Sequence, residues 1–155
     1  MRHTGRMQLP PRLEALVLKA GVHLGLLSAD DRALVLALAA CAVEPDRPLR
    51  EDEVNRRLID WLADLGSMLQ TDHVELRRWL VDTGFVVRDD WGRLYVRSRP
   101  QTERVRQQLG SSDATALAAA VRSVRIAAQH ARLARRRAFE RGGSTPLGES
   151  PRATG

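Results

Sequence analysis

The stretch "DHVELRRWLVDTGFVVRDDWGRLYVRS", Asp72 to Ser98, decides the fold. Its first half has the spacing of a helix. Asp72 and Glu75 stand in capping-box positions, and Gly84 is placed to end the helix. Leu76, Trp79, Leu80 and Thr83 fall on one side, which predicts an inner face. Val74, Glu75, Arg78, Val81 and Asp82 then point outward, with Arg77 at the boundary. The second half changes period. "FVVRD" and "RLYVRS" flank "DWG", so branched and aromatic residues bracket a Gly-containing turn, which predicts a β-hairpin. An isolated hairpin is marginal in water. Phe85, Val87, Leu94 and Val96 are therefore expected to lean on the helices.

Upstream, "REDEVNRRLIDWLADLG" carries acids in its first turn, where the helix dipole favours them. Val54, Leu58, Trp61, Leu62 and Leu65 form its inner stripe, with Gly66 as C-cap. "EPDRPL" reads as a turn-rich connection. "DRALVLALAACAV" is apolar nearly all round and is expected at the centre of the core, capped by Ser28 or Asp30. Pro10-Pro11 opens a leading helix in which Leu13, Leu16, Val17, Ala20, Leu24 and Leu27 share a face. Residues 1–9 read as a flexible arm. Downstream, Pro100 closes the unit. Residues 100–141 read as a linker followed by one Arg/Ala-rich helix, rich in the best helix formers. Residues 142–155 read as a disordered tail. The expected fold is mainly α. A winged-helix-like core of three helices plus a β-hairpin, with its leading helix, spans residues 10–99, and a long basic C-terminal helix follows.

Charge divides the chain in the same way. The 155 residues carry 25 basic and 19 acidic side chains, and Lys19 is the only lysine. Residues 1–98 sum to −1 and residues 99–155 to +7. A neutral body followed by a cationic tail predicts two tasks. Aromatics are only 4% of the chain, so Leu, Val and Ala must supply most of the core.

Several chemistries find no support. Cys41 is the only cysteine, which rules out an intrachain disulfide, and its setting, "ALAACAV", suits a buried small hydrophobe. His3, His23, His73 and His130 are scattered, and no Cys/His/carboxylate group has metal-ligand spacing. No phosphate-binding loop or dinucleotide fingerprint is present. Asp72 and His73 read as a cap and a first-turn residue rather than an acid–base pair. No catalytic residue, metal or cofactor is expected, and the chain does not read as an enzyme. No apolar run approaches a membrane span and no signal peptide is read, so a cytoplasmic location is expected.

Three segments together resemble a bacterial family. "EDEVNRRL" (Glu51 to Leu58), "DHVELRRWLVDTGFVVR" (Asp72 to Arg88) and "GRLY" (Gly92 to Tyr95) are similar to the family known as domain of unknown function 2087. The resemblance covers roughly residues 30–98. It implies a winged-helix-like fold and a place among regulatory proteins, since this domain is often attached to helix-turn-helix regulators. It brings no activity.

The functional expectation follows from the fold order and the basic tail. Arg122, Arg125, Arg132 and Arg136 lie in one angular sector of the last helix, flanked by Arg135 and Arg137. Such a stripe can track phosphates. Arg78 on the third core helix and Arg93 and Arg97 on the hairpin are expected to assist. The expectation is a nucleic-acid-associated regulatory protein that binds DNA or RNA through its backbone. The alternative is a protein-interaction module that uses Val74, Glu75 and Val81, with a homodimer or a partner regulator as its counterpart.

Overall fold

The computed structural model describes residues 7–89, 91 and 93–142. Most of the expected arm and nearly all of the expected tail lie outside them. Within the arm, Leu9 is buried and belongs to the core.

The core is built around α2 (Ala29–Ala40). The Ser28 hydroxyl accepts from the Asp31 N–H at 3.1 Å, which caps the helix as its sequence predicts. Every residue from Val35 to Ala40 is buried. The leading helix α1 (Pro11–Val17) packs on α2 but is shorter than its periodicity predicts. Gly21 takes φ of +67° and turns the chain away. Leu24 still reaches the core, from a single 3₁₀ turn over Leu24–Leu26. After that break, Val22 exchanges backbone hydrogen bonds with Met68 and Gln70.

The next elements follow the winged-helix order: β1 (Leu49–Arg50), α3 (Glu51–Ala63), α4 (His73–Asp82), β2 (Val87–Arg88) and β3 (Leu94–Val96). The Asp72 carboxylate accepts from the Glu75 N–H at 2.8 Å to start α4. Gly84, with φ of +79°, ends it. The Gly84 N–H donates to Val81 O and the Phe85 N–H to Leu80 O, a Schellman motif that satisfies two terminal carbonyls. Gly66 differs from its expected role. It is not the cap of α3 but lies under the Trp61 ring, where a Cβ would overlap the indole.

The sheet has three strands rather than two, in the order β1-β3-β2, all antiparallel. The two-residue β1 straddles the end of the turn-rich connection, Leu49, and the first residue of the stretch expected to be helical, Arg50. Tyr95 is the centre of the sheet, opposite Leu49 on one side and Arg88 on the other. The hairpin differs in part from expectation: Phe85 is buried and Val96 half-buried as expected, but the two other residues expected inside are not. Val87 and Leu94 are exposed, and Val86 and Tyr95 are buried in their place. Strand side chains alternate between faces, so turning Tyr95 inward turns Leu94 outward and takes Arg97 inward.

The stretch read as a linker also differs. It contains α5 (Arg99–Leu109), which packs heavily on α2. Ser98 and Gln101 form a capping box, and Pro100 lies in the first turn, where proline is tolerated. Val105 and Leu109 face the core. Finally, α6 (Ala114–Gly142) starts where the Asp113 carboxylate accepts from the Thr115 and Ala116 N–H groups. Leu117, Ala120 and Val121 are buried, while every residue from Gln129 to Gly142 is exposed.

The two halves of α6 therefore differ in what they hold together. Removing residues 111–155 strips Leu117 and Val121 from the core and should lower stability by about 3 kcal/mol or more. Removing residues 130–155 should change it by less than about 0.5 kcal/mol. Urea unfolding followed by circular dichroism measures both.

Candidate nucleic-acid interface

The surface of α4 is organised by Arg77. Its guanidinium donates to Asn55 Oδ1, pairs with the Glu51 carboxylate at 3.0 Å and lies over the Tyr95 ring, 5.7 Å from the centroid. One side chain of α4 thus ties two residues of α3 to the central strand. Glu51 and Asn55 come from the first segment of the resemblance, Arg77 from the second and Tyr95 from the third. The three segments meet at one cation.

Beside this junction lies a depression lined by Val74, Arg77, Arg78, Val81, Asp82, Arg88 and Tyr95. Arg78 and Arg88 are exposed on either side of it. Glu75 is exposed and accepts from the Thr71 hydroxyl at 2.7 Å. Val74 is exposed, but Val81 is half-buried and packs against the core, which removes much of the valine pair expected outside. At the hairpin, Arg93 is exposed, and its backbone N–H donates to Asp89 Oδ1 at 2.8 Å. Trp91 is exposed in the turn.

Arg97 corrects the expected set. Only 2% of it is exposed. Nε donates to Val43 O at 2.9 Å and Nη1 to Thr102 Oγ1 at 3.0 Å, so it joins β3 to the end of α2 and to α5. Burial lowers its pKa, and Cys41 and Asp46 oppose that shift. A guanidinium that is desolvated and committed in this way cannot meet a phosphate. The neighbouring Cys41 thiol is pushed up to about 11 by burial, which leaves it protonated and unreactive at neutral pH.

The arginines of α6 separate into two groups. Arg122 pairs with Asp64 at 2.7 Å. Arg125 donates to Val17 O at 3.1 Å, Asp64 O at 3.0 Å and Leu65 O at 2.7 Å. Burial lowers the Arg125 pKa, opposed by attraction to Asp64. These two side chains fasten the helix to the body. Arg132, Arg135 and Arg136 lie beyond the body and make no ion pair with other described residues. With Phe139 and Glu140 they line one side of the exposed length. Phe139 is 80% exposed.

Phe139 and Arg88 are additions to the residues expected from sequence. Phe139 could have been found, because it stands three, four and seven residues after Arg136, Arg135 and Arg132 and so shares their side of a helix. Arg88 needed the strand register, which pairs it with Tyr95.

The architecture is that of a winged-helix-like unit extended by two further helices. Residues 28–97 match the model of a family described as "Uncharacterized protein conserved in bacteria (DUF2087)", the family that the three segments resemble. No curated protein and no solved structure matches the chain. Among the described residues, no helix is long and apolar enough to cross a membrane.

The Arg77 junction gives a comparison on a single helix. Arg77→Ala leaves Glu51 and Asn55 without their cation and should cost about 1–3 kcal/mol in urea unfolding. Arg78→Ala, one residue on and exposed, should stay within about 0.5 kcal/mol.

Proposed function

We propose that this protein is a nucleic-acid-associated regulatory protein that grips DNA or RNA mainly by its phosphate backbone. The observation that carries this reading is the cluster of Arg132, Arg135 and Arg136 on the exposed length of α6, with Phe139 beside them. Guanidinium groups that make no ion pair among the described residues are available to replace the counterions condensed on a polyanion. A neighbouring aromatic offers a stacking surface to an unpaired base. The winged-helix order and the exposed Arg78, Arg88 and Arg93 support a second, weaker contact through α4 and the hairpin. Asp82 and Glu75 on the same helix oppose phosphate, so α4 assists rather than leads.

A second reading has its own observation. Val74, Val87 and Leu94 are exposed apolar residues on α4 and the hairpin. They favour a protein contact there, as in an interaction module of a regulatory complex.

Fluorescence anisotropy with a labelled duplex and a labelled single strand, each at two salt concentrations, tests the first reading. Binding should weaken as salt rises. Changing Arg132, Arg135 and Arg136 together to Glu should lower affinity at least tenfold. It should also reduce the slope of log K against log salt by about two to three. Val74→Asp should leave affinity within about twofold, since valine makes no phosphate contact. Absent binding at low salt, or affinity untouched by the triple change, overturns the proposal.

A further inference from the structure

The depression beside α4 has a lining that phosphate contact does not explain. Its volume is about 190 Å³, the space of roughly six waters. A polar group lies at its floor. Tyr95 is only 1% exposed, yet it lines the depression, and its hydroxyl makes no hydrogen bond with any described residue. That oxygen is not sealed in the core, as the unpartnered Trp61 indole nitrogen is. The hydroxyl therefore ends at the depression, where a buried polar group gains from a partner.

Two guanidinium groups flank it. Arg88 is the cross-strand partner of Tyr95, so both side chains leave the sheet on one face. Arg78 comes from α4. Both are exposed, and neither makes an ion pair among the described residues. Arg77 also lines the wall, but Glu51 already balances its charge. Two fork-shaped donors and a phenolic O–H thus surround one small space, a set that suits a carboxylate.

The rest of the lining is not basic. Asp82 stands one turn after Arg78, a spacing at which the two could pair, yet they do not. The other nearby acids are engaged elsewhere. Glu75 accepts from the Thr71 hydroxyl, and Asp89 accepts from the backbone N–H groups of Arg93 and Leu94. An unpaired carboxylate beside an unpaired guanidinium repels a simple anion but suits a zwitterion, which carries both signs. Val74 and Val81, seven residues apart and so on one side of α4, add apolar surface.

We propose that this depression binds a free α-amino acid with a short aliphatic side chain. Its carboxylate lies on Arg78, Arg88 and the Tyr95 hydroxyl, its ammonium on Asp82 and its side chain on Val74 and Val81. Each unpaired charge of the lining then meets a counter-charge, which neither a phosphate nor a plain acid provides. The arginines of α6 take no part.

Heteronuclear NMR titration of the full chain at constant ionic strength tests this with three probes. They are L-leucine, isocaproate (leucine without its ammonium) and isoamylamine (leucine without its carboxylate). Leucine should bind saturably, with shifts confined to α4, β2 and β3, and the other two at least fivefold more weakly. Tyr95→Phe keeps the ring and the charge, and should still weaken leucine about fivefold. Arg78→Ala should weaken it about tenfold. Asp82→Asn should remove the advantage of leucine over isocaproate. Absence of saturable leucine binding overturns the proposal. So does isocaproate that binds as tightly as leucine, or a leucine affinity that ignores Tyr95→Phe, the result expected of a diffuse charged surface. No nucleic acid enters the assay, so its outcome is independent of the function proposed above.

Discussion

The fold turns on one cation held between three elements. Arg77 projects from α4 into a site where Asn55 of α3 accepts its hydrogen bond, Glu51 of α3 balances its charge and Tyr95 of β3 supplies a ring face. Each partner alone is replaceable. Together they set the angle between two helices and the position of the central strand. Tyr95 in turn pairs with Leu49 and Arg88, so the sheet register follows from the same point. The depression beside α4 exists because Arg77 is drawn inward while Arg78 is left outside. A similar device recurs nearby. Arg32 covers Trp79 at 4.4 Å, Arg104 covers Phe85 at 4.6 Å, and both also donate to carbonyls. In a chain with few aromatics, arginine stems and planes do part of the packing that larger rings would otherwise do.

The helices were legible in the sequence where local signals agreed. Asp72, Gly84 and Ser28 act as their residue types predict, and the all-apolar α2 is central. The hairpin was legible as a hairpin but not as to which face points inward. Both alternating sets contain apolar residues: Val87, Leu94 and Val96 on one side, Val86 and Tyr95 on the other. Tyr95 wins because its ring fills the space under Arg77, and no local count contains that information. Arg97 was misplaced for the same reason, since it follows Tyr95 to the inner face. The two-residue β1 was hidden because it is defined only by its partner strand. In contrast, α5 announced itself through Ser98, Pro100, Gln101 and Gly110. Pro100 is ambiguous by itself, since proline both ends a preceding element and fits the first turn of a helix.

The candidate site shows a related division. A run of arginines along one helix suggested a uniform basic stripe. Carbonyls at Val17, Asp64 and Leu65 claim Arg125, and Asp64 claims Arg122. What they leave is a shorter, purer cationic surface at the far end. Sequence gives the sector, but only the extent of the body decides where anchoring stops and display begins.

The grip of Arg125 has a mechanical consequence. It fixes a stiff rod near its middle, with one end embedded and the other unsupported. A shift in the carbonyls it holds, at the end of α1 or the turn after α3, would redirect the half of the rod beyond the clamp. A tilt of roughly 10° at that clamp moves the last turn by roughly 3–4 Å, given the helical rise. That displacement is comparable to the spacing of phosphates along a duplex axis.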